Sequence, residues 1–434
     1  MSIAIADVST PRQSSYWSSL IIIGTLFFIF GFVTWLNGPL ITFVKLAFDL
    51  DTDAKAFLVT TAFYLSYFFL ALPSSWILLR TGMKRGMALG LAVMAAGAIA
   101  FGSFATARSY PGALAGLFVM GSGLSLLQTA ANPYISIIGP IESAAQRISV
   151  MGICNKTAGI ISPLVIGSTV LSGIGGIEQQ LQATQDPQQR AALLSEFAAK
   201  VHAPYMIMAA ILILLAGWIP SSPLPEVRAA EANAGNDVSS SRAHDSIFDF
   251  PHLWLGVLCL FLYVGVEVMA GDAIGAYGKG FGLPTSQTKY FTAITMSAML
   301  LGYLTGLVAI PRYLSQTQGL KISAVLGLVF TALAWMTSGY VSVGFVAALG
   351  LANALMWPVI FPLAIRGLGR FTELGSALLI MSIAGGALIP RLFAVLKEQF
   401  PFQTVFLAIM APCYLYILFY AISGHRTQFN QSRS

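Results

Sequence analysis

The sequence predicts an all-α polytopic membrane protein, with twelve transmembrane helices in two six-helix, pseudo-symmetric bundles. Three observations carry that expectation. Of the 434 residues, 56% are hydrophobic and only 9% charged, and the mean hydropathy is +0.78, which is far more apolar than a soluble domain. Apolar runs near the ~20 residues that cross a bilayer recur along the chain, whose length accommodates roughly 12 of them with short connections. Polar signatures also repeat at a near-constant offset between the two halves.

The first predicted span, 20–47, contains W-L-N-G-P. Thr34, Asn37, Gly38 and Pro39 interrupt the apolar helix there, and loosened backbone at mid-depth is a common way to build a solute site. A packing kink with Asn37 bonded to a neighbour is the other reading. Trp35 is either a lipid-facing ring or a flat surface for a sugar. Asp49, Asp51 and Asp53, with Lys45 and Lys55, read as a solvated loop. The second span, 57–79, carries Tyr64 and Tyr67 and ends in the short basic turn R-T-G-M-K-R-G, which marks a cytoplasmic connection.

After a plain third span, 86–105, the fourth, 113–139, holds the stretch that organises the chain, G-S-G-L-S-L-L-Q-T-A-A-N-P-Y. Gln128, Asn132 and Pro133 are costly against lipid, so this helix faces protein or water. Gly121, Gly123, Ala130 and Ala131 let neighbouring helices approach closely. The fifth span, 148–172, places Asn155 and Lys156 about eight residues in, or ~12 Å deep, where a lysine needs a partner or water. Residues 172–202 are Gln-rich, and Asp186 followed by Pro187 reads as the start of a short surface helix. A sixth span, 204–219, completes the first bundle, assigned to residues 1–219.

Residues 220–252 are rich in Pro, Ala, Asn and Ser and read as a cytoplasmic linker. The second bundle, 253–434, opens with a seventh span, 253–277, that puts Glu267 ~21 Å deep and Asp272 nearer the outer end. Glu267 and Lys156 are the opposite charges expected at mid-depth, and an ion pair between them is a natural proposal. The eighth and ninth spans are 290–310 and 322–339. In the tenth, 343–365, Asn353 stands before Trp357 and Pro358 as Gln128 stands before Pro133, both at an offset of 225 residues. In the eleventh, 374–395, Gly386 and Pro390 match Gly159 and Pro163 at an offset of 227. Two parallel repeats follow. A twelfth span at 404–422 ends the series.

Other function classes lack support. The formal charge of +6 comes without a basic run suited to nucleic acid. The three cysteines, Cys154, Cys259 and Cys413, show no paired spacing for disulfides or metal. No Ser/His, Cys/His or metal constellation points to an enzyme. The polar segment before Trp17 and the long first apolar run predict no cleaved leader, and both termini are expected on the cytoplasmic side.

A-A-N-P-Y, W-L-N-G-P, Y-V-G-V-E and the R-T-G-M-K turn together resemble the fucose, galactose and glucose symporter family of the major facilitator superfamily. The resemblance covers nearly the whole chain except the termini, the linker and the Gln-rich segment. It implies alternating access and cation-linked sugar uptake across a bacterial inner membrane. The proton-coupled fucose members carry carboxylates where this chain has Gly38 and Gln128, and Glu267 with Lys156 looks instead like the branch handling glucose, galactose or N-acetylglucosamine.

The expected sugar site comprises Asn37, Gln128, Asn132, Asn155 and Asn353, which offer donors and acceptors to hydroxyls, with Trp35, Trp357, Tyr64 and Tyr67 as flat apolar faces. Glu267, Lys156 and Asp272 are the expected coupling groups. The expected partners are a small-molecule sugar and the bilayer, without nucleic acid, and the protein is expected to be a monomer. No cofactor is expected beyond a coupling ion, H+ or Na+. A sodium-coupled or uncoupled facilitator, an exporter of apolar drugs and a non-transporting nutrient receptor remain as alternatives.

Overall fold

A computed structural model describes residues 13–137, 144–225, 246–310 and 312–427. Most of the predicted linker, from 226 to 245, lies outside them, as do residues 138–143. Among the described residues, twelve helical segments are long and apolar enough to cross a membrane: Trp17–Ala47, Asp53–Thr81, Met83–Thr106, Tyr110–Asn132, Gln146–Ser168, Pro187–Ser221, Pro251–Gly271, Thr285–Ala309, Gln316–Met336, Gly339–Ile365, Thr372–Leu396 and Phe402–Arg426. These match the predicted spans in number and order. Because the number is even, both ends of the described chain fall on one face, called here the terminal face; the other is the distal face.

Helices with all-round apolar surfaces suit this setting, since a backbone in lipid must satisfy its own hydrogen bonds. Ile207, Ile211 and Leu214 of the sixth span and Ile322, Val325 and Val329 of the ninth are exposed on the outer surface, where lipid rather than water would meet them. Polar residues turn inward. The fourth span packs on the second and third through its glycines. A Cβ at Gly123 would stand 2.5 Å from the Gly90 carbonyl oxygen, and one at Gly121 2.3 Å from that of Phe63. The small residues singled out in the sequence therefore mark backbone-to-backbone approaches.

Several spans are broken. The first divides into Gln13–Thr34 and Asn37–Ala47, the seventh into Pro251–Gly271 and Ile274–Lys279, and the tenth into Gly339–Asn353 and Met356–Ile365. The eleventh passes through a 3-10 turn, Ser382–Ala384, between Thr372–Met381 and Gly385–Leu396. The first break falls at the predicted W-L-N-G-P. The seventh was expected to run unbroken; instead the helix stops after Gly271 and resumes at Ile274, and Asp272, toward the outer end of the span as expected, is 1% exposed. The surface helix after Asp186 forms as Pro187–Ala199, with the Asp186 side chain accepting the Gln188 amide.

The first six spans meet the last six along two main seams, the second span against the eleventh and the fifth against the eighth. At the distal face polar ties cross between the groups. Asp53 bridges Lys45 and Lys397, and Glu398 accepts the Ala54 amide at 3.1 Å. Glu178 accepts the Thr285 hydroxyl at 3.0 Å. Lys289 donates to the carbonyls of Gly167 and Leu171 at 2.8 and 3.0 Å, an ammonium at the C-terminal end of the fifth-span helix, where the helix dipole favours positive charge.

Candidate functional site

One cavity lies between the two groups of spans, with an internal volume of about 100 Å³. Phe27, Phe30, Gln128, Asn132, Ile148, Gly152 and Asn155 line it, all on stretches of their helices that lie toward the terminal face. The cavity therefore extends from mid-depth toward that face, while the ties at Asp53, Glu178 and Lys289 close the distal side.

Lys156 and Glu267 form its charged centre. The ammonium stands 2.7 Å from a Glu267 carboxylate oxygen, with the two residues 5% and 9% exposed. The pair proposed from the sequence therefore forms, and it joins the fifth span to the seventh. Lys156 Nζ also lies 4.3 Å from the centre of the Trp35 ring, a cation–π contact that is strongest when desolvated. Separating either charge from the other here would leave an uncompensated buried ion.

Trp35 sits at the break in the first span and is seated by missing side chains. A Cβ at Gly271 would fall 2.4 Å from its ring and one at Gly159 2.6 Å. Its indole N–H donates to Asn155 Oδ1 at 3.2 Å, and Asn155 Nδ2 donates to the Phe27 carbonyl at 3.4 Å. On the facing wall, Gln128 Nε2 donates to the Tyr67 hydroxyl at 3.1 Å, and Asn132 Nδ2 to the Gln128 carbonyl at 3.0 Å. The rings of Tyr64 and Tyr67 stack with centroids 6.5 Å apart. A ring of amides beside flat aromatic faces can exchange hydrogen bonds with hydroxyls while covering the apolar face of a small ring.

Nine of the twelve residues singled out in the sequence border this cavity: Trp35, Tyr64, Tyr67, Gln128, Asn132, Asn155, Lys156, Glu267 and Trp357. Asn37, Asn353 and Asp272 do not. Asn37 donates to the Thr34 carbonyl at 3.0 Å, sealing the break in its own span. Asn353 is fully buried and accepts the Tyr414 hydroxyl at 2.8 Å, so the repeat offset that pairs it with Gln128 does not place both on the cavity wall. The tenth span breaks just after Asn353, whereas the helix Tyr110–Ile137 runs on without interruption.

Sequence reasoning did not single out Tyr263, Tyr303 or the apolar lining, whereas Thr34, noted at the break in the first span, does border the cavity. Tyr263 stands four residues before Glu267, on the same face of one helix. That spacing from a deep carboxylate was a usable signal. Tyr303 has none of its own, because it reaches the cavity across Gly152, where a Cβ would stand 2.3 Å from its ring.

Comparisons with known proteins fit this architecture. The family model described as Major Facilitator Superfamily matches residues 23–372. A glucose/galactose transporter of Brucella abortus (strain 9-941) is 31% identical over 421 residues, covering 96% of this chain and 97% of its own length. The L-fucose-proton symporter of Escherichia coli K12 is 28% identical over 400 residues, covering 90% of each chain. A crystal structure of the transporter FucP in the outward conformation superposes with a TM-score of 0.73 at 26% identity, over 94% of this chain and 98% of the other. The chain belongs to the Major Facilitator Superfamily.

Proposed function

We propose that this protein imports a sugar, a hexose or an N-acetylhexosamine, by proton-coupled symport with alternating access across a bacterial inner membrane. The observation that carries the reading is the central cavity: three amides from two spans and four aromatic faces surround a buried Lys156–Glu267 pair, and the distal side is closed by ties between the two groups of spans. Sugar would lie against Trp35, Trp357, Tyr64 and Tyr67, with Gln128, Asn132 and Asn155 meeting its hydroxyls. Residues 1–219 and 253–434 are the two moving bundles, joined by 220–252, with the terminal face cytoplasmic. The relatives named as glucose/galactose transporter and L-fucose-proton symporter support this substrate class.

Glu267 is the coupling carboxylate in this reading, and Lys156 sets its charge. Taking up a proton would release the lysine, so proton binding, sugar binding and the packing of the fifth span on the seventh share one contact. The test is uptake of a panel of labelled sugars into proteoliposomes with proton and sodium gradients imposed separately. The reading predicts accumulation of a hexose or N-acetylhexosamine under the proton gradient alone. Accumulation that follows only sodium would reassign the ion, and absence of any sugar flux would remove the substrate class.

A further inference from the structure

Asp272 has the most deeply buried carboxylate among the described residues, 1% exposed, and it does not border the cavity. Its Oδ1 makes no hydrogen bond, while Oδ2 has one long contact, from the Tyr64 hydroxyl at 3.5 Å. The charged and titratable groups facing it are Glu267 on its own helix, Lys156 from the fifth span and Tyr64 from the second, with the Gly38 backbone approaching from the first. From the eighth span comes Thr292, whose hydroxyl donates to the Gly271 carbonyl at 2.8 Å. Two carboxylates thus share the neighbourhood of a single buried ammonium, and that ammonium stands 2.7 Å from Glu267. Asp272 has no cation of its own.

It also sits in the seam that closes the distal side. A Cβ on Gly38 would stand 2.3 Å from Thr292 Oγ1 and 3.3 Å from Asp272 Oδ1. The first, seventh and eighth spans therefore touch there with no room for a side chain or a water layer, and the contact is between the two groups of spans. An ionised carboxylate with an unpartnered oxygen in such a place has no water layer, and the one ammonium facing it is already held by Glu267.

We propose that Asp272 is a second proton-binding site, which must hold a proton for the distal side to close. When the first span moves off the seventh and eighth, Asp272 meets distal water and can ionise; closure requires the proton back on the carboxylate. The inference rests on the transport reading above, but it assigns Asp272 to the conformational step and leaves gradient coupling to Glu267. It predicts that alkaline conditions slow every process that needs repeated closure, sugar exchange included, even with no proton gradient.

Sugar exchange in proteoliposomes, with pH equal on both sides, tests it. From about pH 6 to about pH 9, exchange by the unmodified protein should fall about tenfold or more as an acid group is titrated. Asp272→Asn, permanently neutral, should exchange at the acid-side rate across the range, whereas Glu267→Gln should still slow at high pH. If Asp272→Asn folds poorly, Asp272→Glu carries the test and should slow with a displaced midpoint. Wild-type slowing in Asp272→Asn, an unmoved midpoint in Asp272→Glu, or loss of slowing in Glu267→Gln alone would overturn the proposal. Relief of the slowing by sodium in place of choline would also overturn it, by assigning the carboxylate to a metal ion. Absence of exchange by the unmodified protein at any pH would count against the transport reading itself.

Discussion

Gln128 and Asn353 hold equivalent places in the two repeats and have unlike surroundings. Gln128 borders the cavity, where a sugar hydroxyl would find its amide. Asn353 is enclosed by protein and holds the Tyr414 hydroxyl. Gln128→Leu should therefore weaken sugar binding by about 1 to 3 kcal/mol, several-fold or more in Kd, because the partner hydroxyl is left desolvated. Asn353→Leu should leave affinity unchanged and lower thermal stability by about 1 kcal/mol through the lost tyrosine bond. Calorimetric titration and melting of both variants check this, and a binding loss in Asn353→Leu would refute the placement. Most of the site was legible at this scale because an amide, a lysine or a glutamate deep in an apolar run has few inexpensive surroundings. Which amides border the cavity was not, since Asn37 and Asn353 are equally anomalous in sequence: Asn37 bonds back to Thr34, while Asn353 accepts the Tyr414 hydroxyl and its Nδ2 makes no hydrogen bond. Asp272 does lie toward the outer end of its span, as its position in the run implies, but its burial beside the break after Gly271 has no local signature in the sequence.

At the scale of elements, glycines decide how closely the spans can pack. The first span lies against the fifth so tightly that a Cβ at Gly31 would stand 2.0 Å from the Asn155 carbonyl oxygen, whereas one at Gly217 would meet nothing within 4 Å. Gly31→Ala should destabilise by about 1 to 3 kcal/mol, because backbone rather than a flexible side chain must move. Gly217→Ala should be neutral or stabilising by up to about 1 kcal/mol, as expected for a helical glycine in open space. Thermal melting in detergent separates the two; equal melting temperatures would contradict the packing. The spans themselves were readable from hydropathy, and the first break from W-L-N-G-P. The tenth-span break was not, because M-W-P resembles the N-P-Y of the fourth span, which stays helical. A proline permits a break, and packing on either side determines whether one forms.

For the whole molecule, the relation between the two groups of spans is the functional variable. The distal ties centre on Asp53, which holds Lys45 from its own group and Lys397 from the other. Lys397→Gln removes the cross-group partner and should shift the population toward distal opening. Spin labels at Lys55 and Gln399, both exposed near that contact, should then report longer distances; an unchanged distribution would show that Asp53 does not hold the seam. The two-bundle architecture was legible from the repeat offsets, but the closed side was not, because no local pattern says which loop charges meet across a gap. The central claim is that Glu267, paired with Lys156 in the cavity between the bundles, links sugar movement to the proton gradient. Comparing gradient-driven accumulation with sugar exchange for Glu267→Gln in proteoliposomes tests it most directly. The account predicts that accumulation is abolished while exchange persists; a Glu267→Gln protein that still concentrates sugar against its gradient would contradict it.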